Sequence, residues 1–452
     1  MAVQRRWTMI FIVGAVYILC PPWTMSAERG EGGPSPVPRR VIAFPLAQVD
    51  LDKVHAAGIR QLSGKHLTLF TDVPSDPQVD ALTRLFGLAY PQWCRYFGVR
   101  RADRPDWHIV GCLMRDKKRF QQTGLFPANL PKFLHGYSAG TDLWLYDQPS
   151  EYYRRHLLLH EGTHAFMNTI LGGSYPPWYT EGLAELLATH HLEAGQLTLG
   201  YFPKKREEVP LLGRIKILQD ARRAGRLLRL DDVFDFAPRA FLVNESYAWS
   251  WATVALLDGN PSYRRRFRSL SRRAEGGDFS RRFEKLFARD RGQLREEWEL
   301  FVATIEHDHD LTRTAIDFSP GEPLAKPSAT LNVAADRGWQ NSGLLLEEGT
   351  TYQLDASGRY QIDDEPRIWW CEPGGVTIRY YHGRPLGMLL ATVRPQERTP
   401  DELNAFLHPL SVGLGSRLTP EHTGTLYLRI NDSAGELDDN HGTVKVNIRR
   451  KR

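Results

Sequence analysis

Cysteine and methionine are scarce in this sequence, with four and six among 452 residues. The cysteines, at 20, 94, 112 and 371, are scattered without a Cys-x-x-Cys pair, which argues against a thiolate metal site. An excess of one charge is also missing. Lys and Arg total 58 against 53 Asp and Glu, and a net charge of +5 is too small to point to nucleic acid. There is no internal repeat and no extended low-complexity tract. What remains is globular in type, 42% hydrophobic and 25% charged, and long enough for two folded domains.

The N-terminus has the order of a secretory signal peptide. Arg5 and Arg6 precede an apolar run from about Met9 to Cys20, followed by Pro21, Pro22 and a small-residue exit at Ser26-Ala27. The run is shorter than the roughly 20 residues of a spanning helix. The expectation is therefore a signal peptide over 1–27, an exported chain (periplasm or extracellular) and no membrane span after its removal. Export permits a Cys94–Cys112 bridge, while burial in the core is the simpler reading of all three remaining cysteines.

Texture divides the rest. Residues 28–40 are Gly/Pro-rich and read as a linker. Residues 41–312 mix strand-like runs ("HLTLFTDV", "DWHIVGCLM") with helical spacing over 79–97, 152–171, 178–192, 247–257 and 279–305. A Pro-rich stretch within 313–330 reads as a second linker. From 331 to 452 the pattern changes to short alternating runs such as "TYQLDASG", "GTLYLRIN" and "TVKVNIRR", separated by Gly, Asp and Asn. This predicts an α+β domain followed by an all-β sandwich. Arginine-rich segments such as "YRRRFRSLSRR" read first as solvated helix faces, with attraction to an anionic cell-surface polymer as the alternative.

The stretch "HLLLHEGTHAFMN" carries chemistry. Residues i and i+4 share a helix face, so His160 and His164 can aim their imidazoles at one point. Two imidazoles leave Zn²⁺ needing a third protein ligand and an open position for water. Glu161 lies beside the first ligand as the general base of an HExxH arrangement. The competing reading is a helix with two unrelated histidines. Downstream, Gly172-Gly173 and Pro176-Pro177 turn the chain into "WYTEGLAELLATH", where Glu181 supplies a carboxylate from a second helix. Glu185, one turn on, shares its face and can accept a hydrogen bond from a ligand imidazole.

"HEGTH" followed by "PPWYTEGLAE" resembles the gluzincin metallopeptidases, and most closely the peptidase-MA-like group called domain of unknown function 1570. The resemblance implies a zincin-like catalytic domain with His160, His164 and Glu181 on Zn²⁺ and Glu161 as the base. Met167 and Ile170 depart from the metzincin pattern, and no Gly-x-Met-x-Asn exopeptidase signature is present. An endopeptidase acting on protein or peptide is the expectation. "NESYAWSWA" resembles the family's later Tyr-and-Trp-Ala helix, which makes Tyr247 the candidate oxyanion donor, with a packing aromatic as the alternative. His135 and Tyr137 sit in a glycine-flanked run that suits a cleft-lining edge strand.

The C-terminal domain is similar to small calcium-dependent galactophilic bacterial lectins over about 331–449, most strongly at "NDSAGELDDNHG". That resemblance implies Ca²⁺ held by side chains of Asp432, Asp439 and Asn440 and by the backbone carbonyl of Glu436. An acidic hairpin loop without metal is the alternative. Trp369 and Trp370 can stack on a sugar or fill the core. The whole reads as an exported zinc metallopeptidase with a carbohydrate-binding-like module. The alternatives are an inactive secreted carbohydrate-binding protein, or a metal hydrolase acting on a non-peptide amide.

Overall fold

Alternate residues of the N-terminal strands face different cores, and this is what builds the first sheet. The computed structural model describes residues 49–210, 213–271, 279–399 and 402–451. The expected signal peptide and the 28–40 linker lie outside the described residues. Strands β1 (Arg60–Ser63), β2 (Leu67–Thr71), β3 (Ile109–Met114), β4 (Gly136–Ala139) and β5 (Asp142–Tyr146) form a sheet in the order β1-β2-β3-β5-β4. The three central strands are parallel, and the two edges run antiparallel to them. Leu69, Leu113, Leu143 and Leu145 point to a large helical core, while Phe70, Cys112, Met114 and Trp144 point to a second cluster with Phe120 and Leu125. Burial on both faces explains why the central strands are almost continuously apolar.

Five helices matter for the site: α1 (Leu82–Phe97), α2 (Glu151–Phe166), α3 (Pro177–Ala188), α4 (Arg214–Arg223) and α5 (Asn244–Gly259). Ser150 caps α2 by accepting the Tyr153 N–H at 3.2 Å. After Phe166 the helix widens into one π turn, Met167–Leu171, and stops at Gly172 with φ +66°. Pro177 occupies the first position of α3, where its missing N–H costs nothing.

Glycines bring these helices together. A Cβ at Gly162 would lie 2.6 Å from the Phe86 ring on α1, and one at Gly182 would lie 2.6 Å from the Ser250 carbonyl on α5. A variable position of the HExxH run, Gly162, and the fixed glycine of the Trp-x-x-Glu-Gly run, Gly182, are thus both contact positions.

Two expected helices are shorter than their spacing suggested. The 178–192 helix ends at Ala188 because "HHLEAGQLTL" forms a hairpin, His190–Glu193 with Gln196–Leu199. Ala194 and Gly195 take the paired positive φ values, 48° and 80°, of a two-residue hairpin turn. The 279–305 run is broken by a 3-10 turn at Ala288–Asp290 into Phe279–Phe287 and Arg291–Thr304. The Arg-rich stretches are largely paired internally: Arg268 grips Asp258, and Arg291 and Arg295 share Asp231.

The C-terminal half is β-rich, and the alternating runs fall on strands Tyr352–Ser357, Val376–Tyr381, Leu389–Pro395, Gly424–Ile430 and Thr443–Arg450. A five-stranded and a four-stranded sheet enclose one core, with Leu389, Leu426 and Leu428 from the first and Leu354, Val446 and Ile448 from the second. The 313–330 stretch is largely exposed but anchored at several points. Ile316 N–H donates to Glu297 at 2.9 Å, Tyr427 OH donates to the Asp317 carbonyl at 2.8 Å, and Glu322–Pro323 pairs as an edge strand.

The halves also touch directly. Arg394 forms a two-pronged pair with Glu296, both contacts 2.8 Å. Glu306 accepts from Tyr381 OH (2.9 Å), Ser433 OH (2.7 Å) and Ala434 N–H (2.9 Å). A Cβ at Gly435 would fall 2.3 Å from the His307 carbonyl. Cys94, Cys112 and Cys371 are buried and unbridged, as core residues. No helix among the described residues is long and apolar enough to cross a membrane.

Gly182→Val is expected to force α3 off α5. The urea midpoint should fall by the equivalent of about 1–3 kcal/mol with an unchanged slope. An unchanged midpoint would show that the helices separate without cost.

Candidate metal centre

The α2 helix presents His156, His160 and His164 at successive i, i+4 positions, and α3 lies alongside it with Glu181 and Glu185 facing them. Nε2 of His160 and Nε2 of His164 are 3.1 Å apart. Glu181 Oε2 lies 3.4 Å from the former and 3.3 Å from the latter. For metal–ligand bonds of about 2.0–2.1 Å, a regular tetrahedron has edges of roughly 3.3 Å. The three atoms therefore occupy three corners of a zinc-sized tetrahedron, and the donor set fits the metal in both chemistry and size.

Charge points the same way. Burial works against a charged His160, but Glu181 and Glu185 outweigh it and push its pKa up to about 10. Burial would likewise raise Glu181, yet the two imidazoles bring it far below the usual carboxylate range. The cluster is built to hold positive charge at its centre, supplied by a proton or by a cation.

Behind the ligands stands Glu185, 2% exposed. Its oxygens accept from Arg214 Nε at 2.6 Å and Nη2 at 2.7 Å, lie 3.2 Å from His156 Nε2 and 3.1 Å from His160 Nδ1. A proton on His160 Nδ1 facing Glu185 leaves the Nε2 lone pair for the metal position. Arg214 and His156 were not singled out in the sequence. His156 had a signal, since it extends the i, i+4 ladder; Arg214 had none, because it arrives from a separate helix.

Glu161 is 6% exposed, and burial raises its pKa, while the neighbouring imidazoles and a hydrogen bond from Ser138 act the other way. The edge strand β4 passes directly over it. A Cβ at Gly136 would stand 2.6 Å from Glu161 Oε1. Because strand side chains alternate, Gly136 and Ser138 meet the glutamate, while Tyr137 points to the far face and packs on Phe133 and Trp144. Tyr137 thus belongs to the edge strand beside the cleft, as expected, but its side chain is turned away from Glu161. Tyr247 on α5 has its ring centroid 6.0 Å from that of His160. Burial, then Glu181, Glu185 and Glu161, raise its pKa, so the hydroxyl stays a proton donor.

In the C-terminal half, Asp432 and Asn440 are fully buried and joined by an Asn440 Nδ2 to Asp432 Oδ2 hydrogen bond of 2.9 Å. Asp439 Oδ1 and Asn440 Oδ1 are buried without a hydrogen-bond partner, which suits a cation. The Glu436 side chain is exposed and pairs with Arg379 at 3.2 Å. Among the described residues of this half, Asp363, Asp364 and Asp439 are the carboxylates that converge closely enough to share one ion. Two of these come from a neighbouring segment that the loop motif does not contain. Trp370 is 52% exposed with the Arg359 guanidinium 5.6 Å from its ring, whereas Trp369 packs against the sandwich core.

No family model and no curated protein matches the chain. Among solved structures, one described as "EclA N-terminal domain; PllA-like lectin" aligns at 24% identity over 27% of this chain and 95% of its own, with a TM-score of 0.21. The structure of IMPa from Pseudomonas aeruginosa in complex with an O-glycopeptide aligns at 12% identity over 88% of this chain and 44% of its own, with a TM-score of 0.17. Superpositions this loose carry no argument about fold or activity.

Arg214→Met is expected to leave Glu185 buried without its principal counter-charge. The metal-free protein should lose about 3–5 kcal/mol in urea unfolding, and Arg214→Lys should recover part of it. Wild-type stability in Arg214→Met would mean that the two histidines suffice.

Proposed function

We propose that the chain is an exported zinc-dependent metallopeptidase that hydrolyses internal peptide bonds of a protein or peptide substrate. The observation that carries this reading is the set of 3.1, 3.3 and 3.4 Å separations among His160 Nε2, His164 Nε2 and Glu181 Oε2, beside a buried Glu161 that is not part of the set. His160, His164 and Glu181 hold the metal. When bound, Zn²⁺ supplies Lewis-acid polarisation and makes water a nucleophile near neutral pH.

The chain's own residues do the rest. Glu161 takes the proton of the attacking water at its carboxylate and later delivers it to the leaving amine. Its burial makes the carboxylate a stronger base than a solvated one. The Tyr247 hydroxyl donates to the oxyanion developing on the substrate carbonyl. Glu185, clamped by Arg214, keeps the His160 ring in one orientation. The unpaired edge of β4 beside Glu161 offers an extended substrate backbone a strand to pair with. An endopeptidase is favoured over the non-peptide amide reading because that edge suits a polypeptide.

Glu161→Gln is expected to retain stoichiometric zinc and lose hydrolysis of a denatured protein by at least 10²-fold. Chelation should abolish activity in the wild type, with recovery on adding zinc. Full turnover by the Gln variant would remove Glu161 as the base.

The β-rich half serves as an appended, carbohydrate-binding-like module with Ca²⁺ at Asp432, Asp439 and Asn440. Support comes from the two partnerless oxygens there. Burial first, with neighbouring carboxylates adding to it, pushes Asp432 up to about 7 and Asp439 up to about 6. An unfolded Asp titrates near about 3.9. The folded chain therefore holds protons that the unfolded chain releases between those values, and stability falls as pH rises through that window. Ca²⁺ replaces those protons. It should raise Tm clearly at pH 8 and little at pH 5; equal shifts at both would place the ion elsewhere.

A further inference from the structure

A second hollow lies at the opposite edge of the first sheet from β4 and has no part in the chemistry above. It measures about 660 Å³ and is formed by the β1–β2 turn, one face of α1 and the 101–105 segment. Its floor on α1 is the stripe Thr83, Gly87, Tyr90 and Pro91, which follows helical spacing. Gly87 stands out there. It sits inside a helix, where glycine costs about 1 kcal/mol relative to alanine, and a Cβ at that position meets nothing within 4 Å. Packing with another helix therefore does not require it, unlike Gly162 and Gly182. What it leaves open is the floor of the hollow.

The rim is cationic. Lys65, Arg84 and Arg101 line it, all three exposed, and no Asp or Glu does. Among the described residues none of the three has an ion-pair partner, whereas neighbouring Arg100 is taken by Asp103 at 3.1 Å and Arg60 by Asp80 at 2.9 Å. The floor is rigid: Tyr90 is 3% exposed, stacks on His66 at 4.0 Å and donates to the Arg104 carbonyl at 2.6 Å. The hollow thus offers three separated, unneutralised cations above a cleared and preformed floor. Its volume lies in the range of small-ligand sites.

We propose that this hollow binds a small polyanion carrying several sulfate or phosphate ester groups. Nucleic acid is disfavoured by the floor, since the one aromatic ring lining it besides His66 is buried and offers no face for a base to stack on. Cations that are separate and unpaired meet several ester groups at once, and each contact is released by salt.

The test is calorimetric titration of the full chain at low salt with sucrose octasulfate, inositol hexakisphosphate and neutral sucrose. Saturable binding of either polyanion, and none of sucrose, is expected; which polyanion binds more tightly assigns the ester. The triple variant Lys65→Gln, Arg84→Gln, Arg101→Gln should bind about tenfold more weakly, as three exposed ion pairs would contribute. A control of equal charge, Lys118→Gln, Lys285→Gln, Arg289→Gln, should bind as wild type. Gly87→Met fills the floor with a better helix former, so it should weaken binding at least as much while keeping or raising the urea midpoint. Equal losses in the triple and the control, wild-type binding by Gly87→Met, tighter binding of a single-stranded oligonucleotide than of either ester, or no binding at all would each overturn the proposal.

Discussion

A single buried carboxylate organises the N-terminal half. Glu185 cannot be both ionised and removed from water without polar partners, and the chain supplies them from two other helices, Arg214 from α4 and His156 and His160 from α2. Arg214 brings α4 in, His156 and His160 fix the face that α2 turns to α3, and Glu181 is thereby delivered opposite His164. The spacing of the candidate ligand atoms is a result of satisfying Glu185. Gly162 and Gly182 serve the same end from the other side, by letting α1 and α5 close on the helices that carry the ligands.

Much of this was legible in the residues because the relevant distances are short along the chain. His160, Glu161 and His164 lie within one helix, so geometry follows from the 3.6-residue period alone. Glu181 and Glu185 follow from the same period in the next helix, with Gly172 and Pro177 marking the turn between them. The alternating C-terminal runs also became strands, because a two-residue period against a buried face has few other solutions. Arg214 was not legible, and although the run around Tyr137 suited a cleft-lining edge strand, the contacts of its Ser138 and Gly136 with Glu161 were not. They reach the site through tertiary packing, and nothing in their local sequence distinguishes an arginine that will be buried from one on a solvated face. The 178–192 helix was read too long for a related reason: "HHLEAG" is compatible with either state until the turn at Ala194-Gly195 selects the hairpin.

The acidic loop shows the limit of a motif carried over along the chain. Asp432 and Asn440 meet as the loop pattern requires, but Asp439 also faces Asp363 and Asp364, which lie about 75 residues earlier and belong to another segment. Contiguous spacing describes only half of such a pocket.

The seam between the halves has a consequence of its own. Ser433 and Ala434, the start of the acidic loop, are the same residues that donate to Glu306, and Ala434 returns a carbonyl to the Asp310 N–H at 2.9 Å. Seam and loop therefore share backbone, and neither can be ordered without partly ordering the other. By reciprocity, anything that rigidifies the loop strengthens the grip between the halves, and prising them apart must loosen the loop by the same free energy.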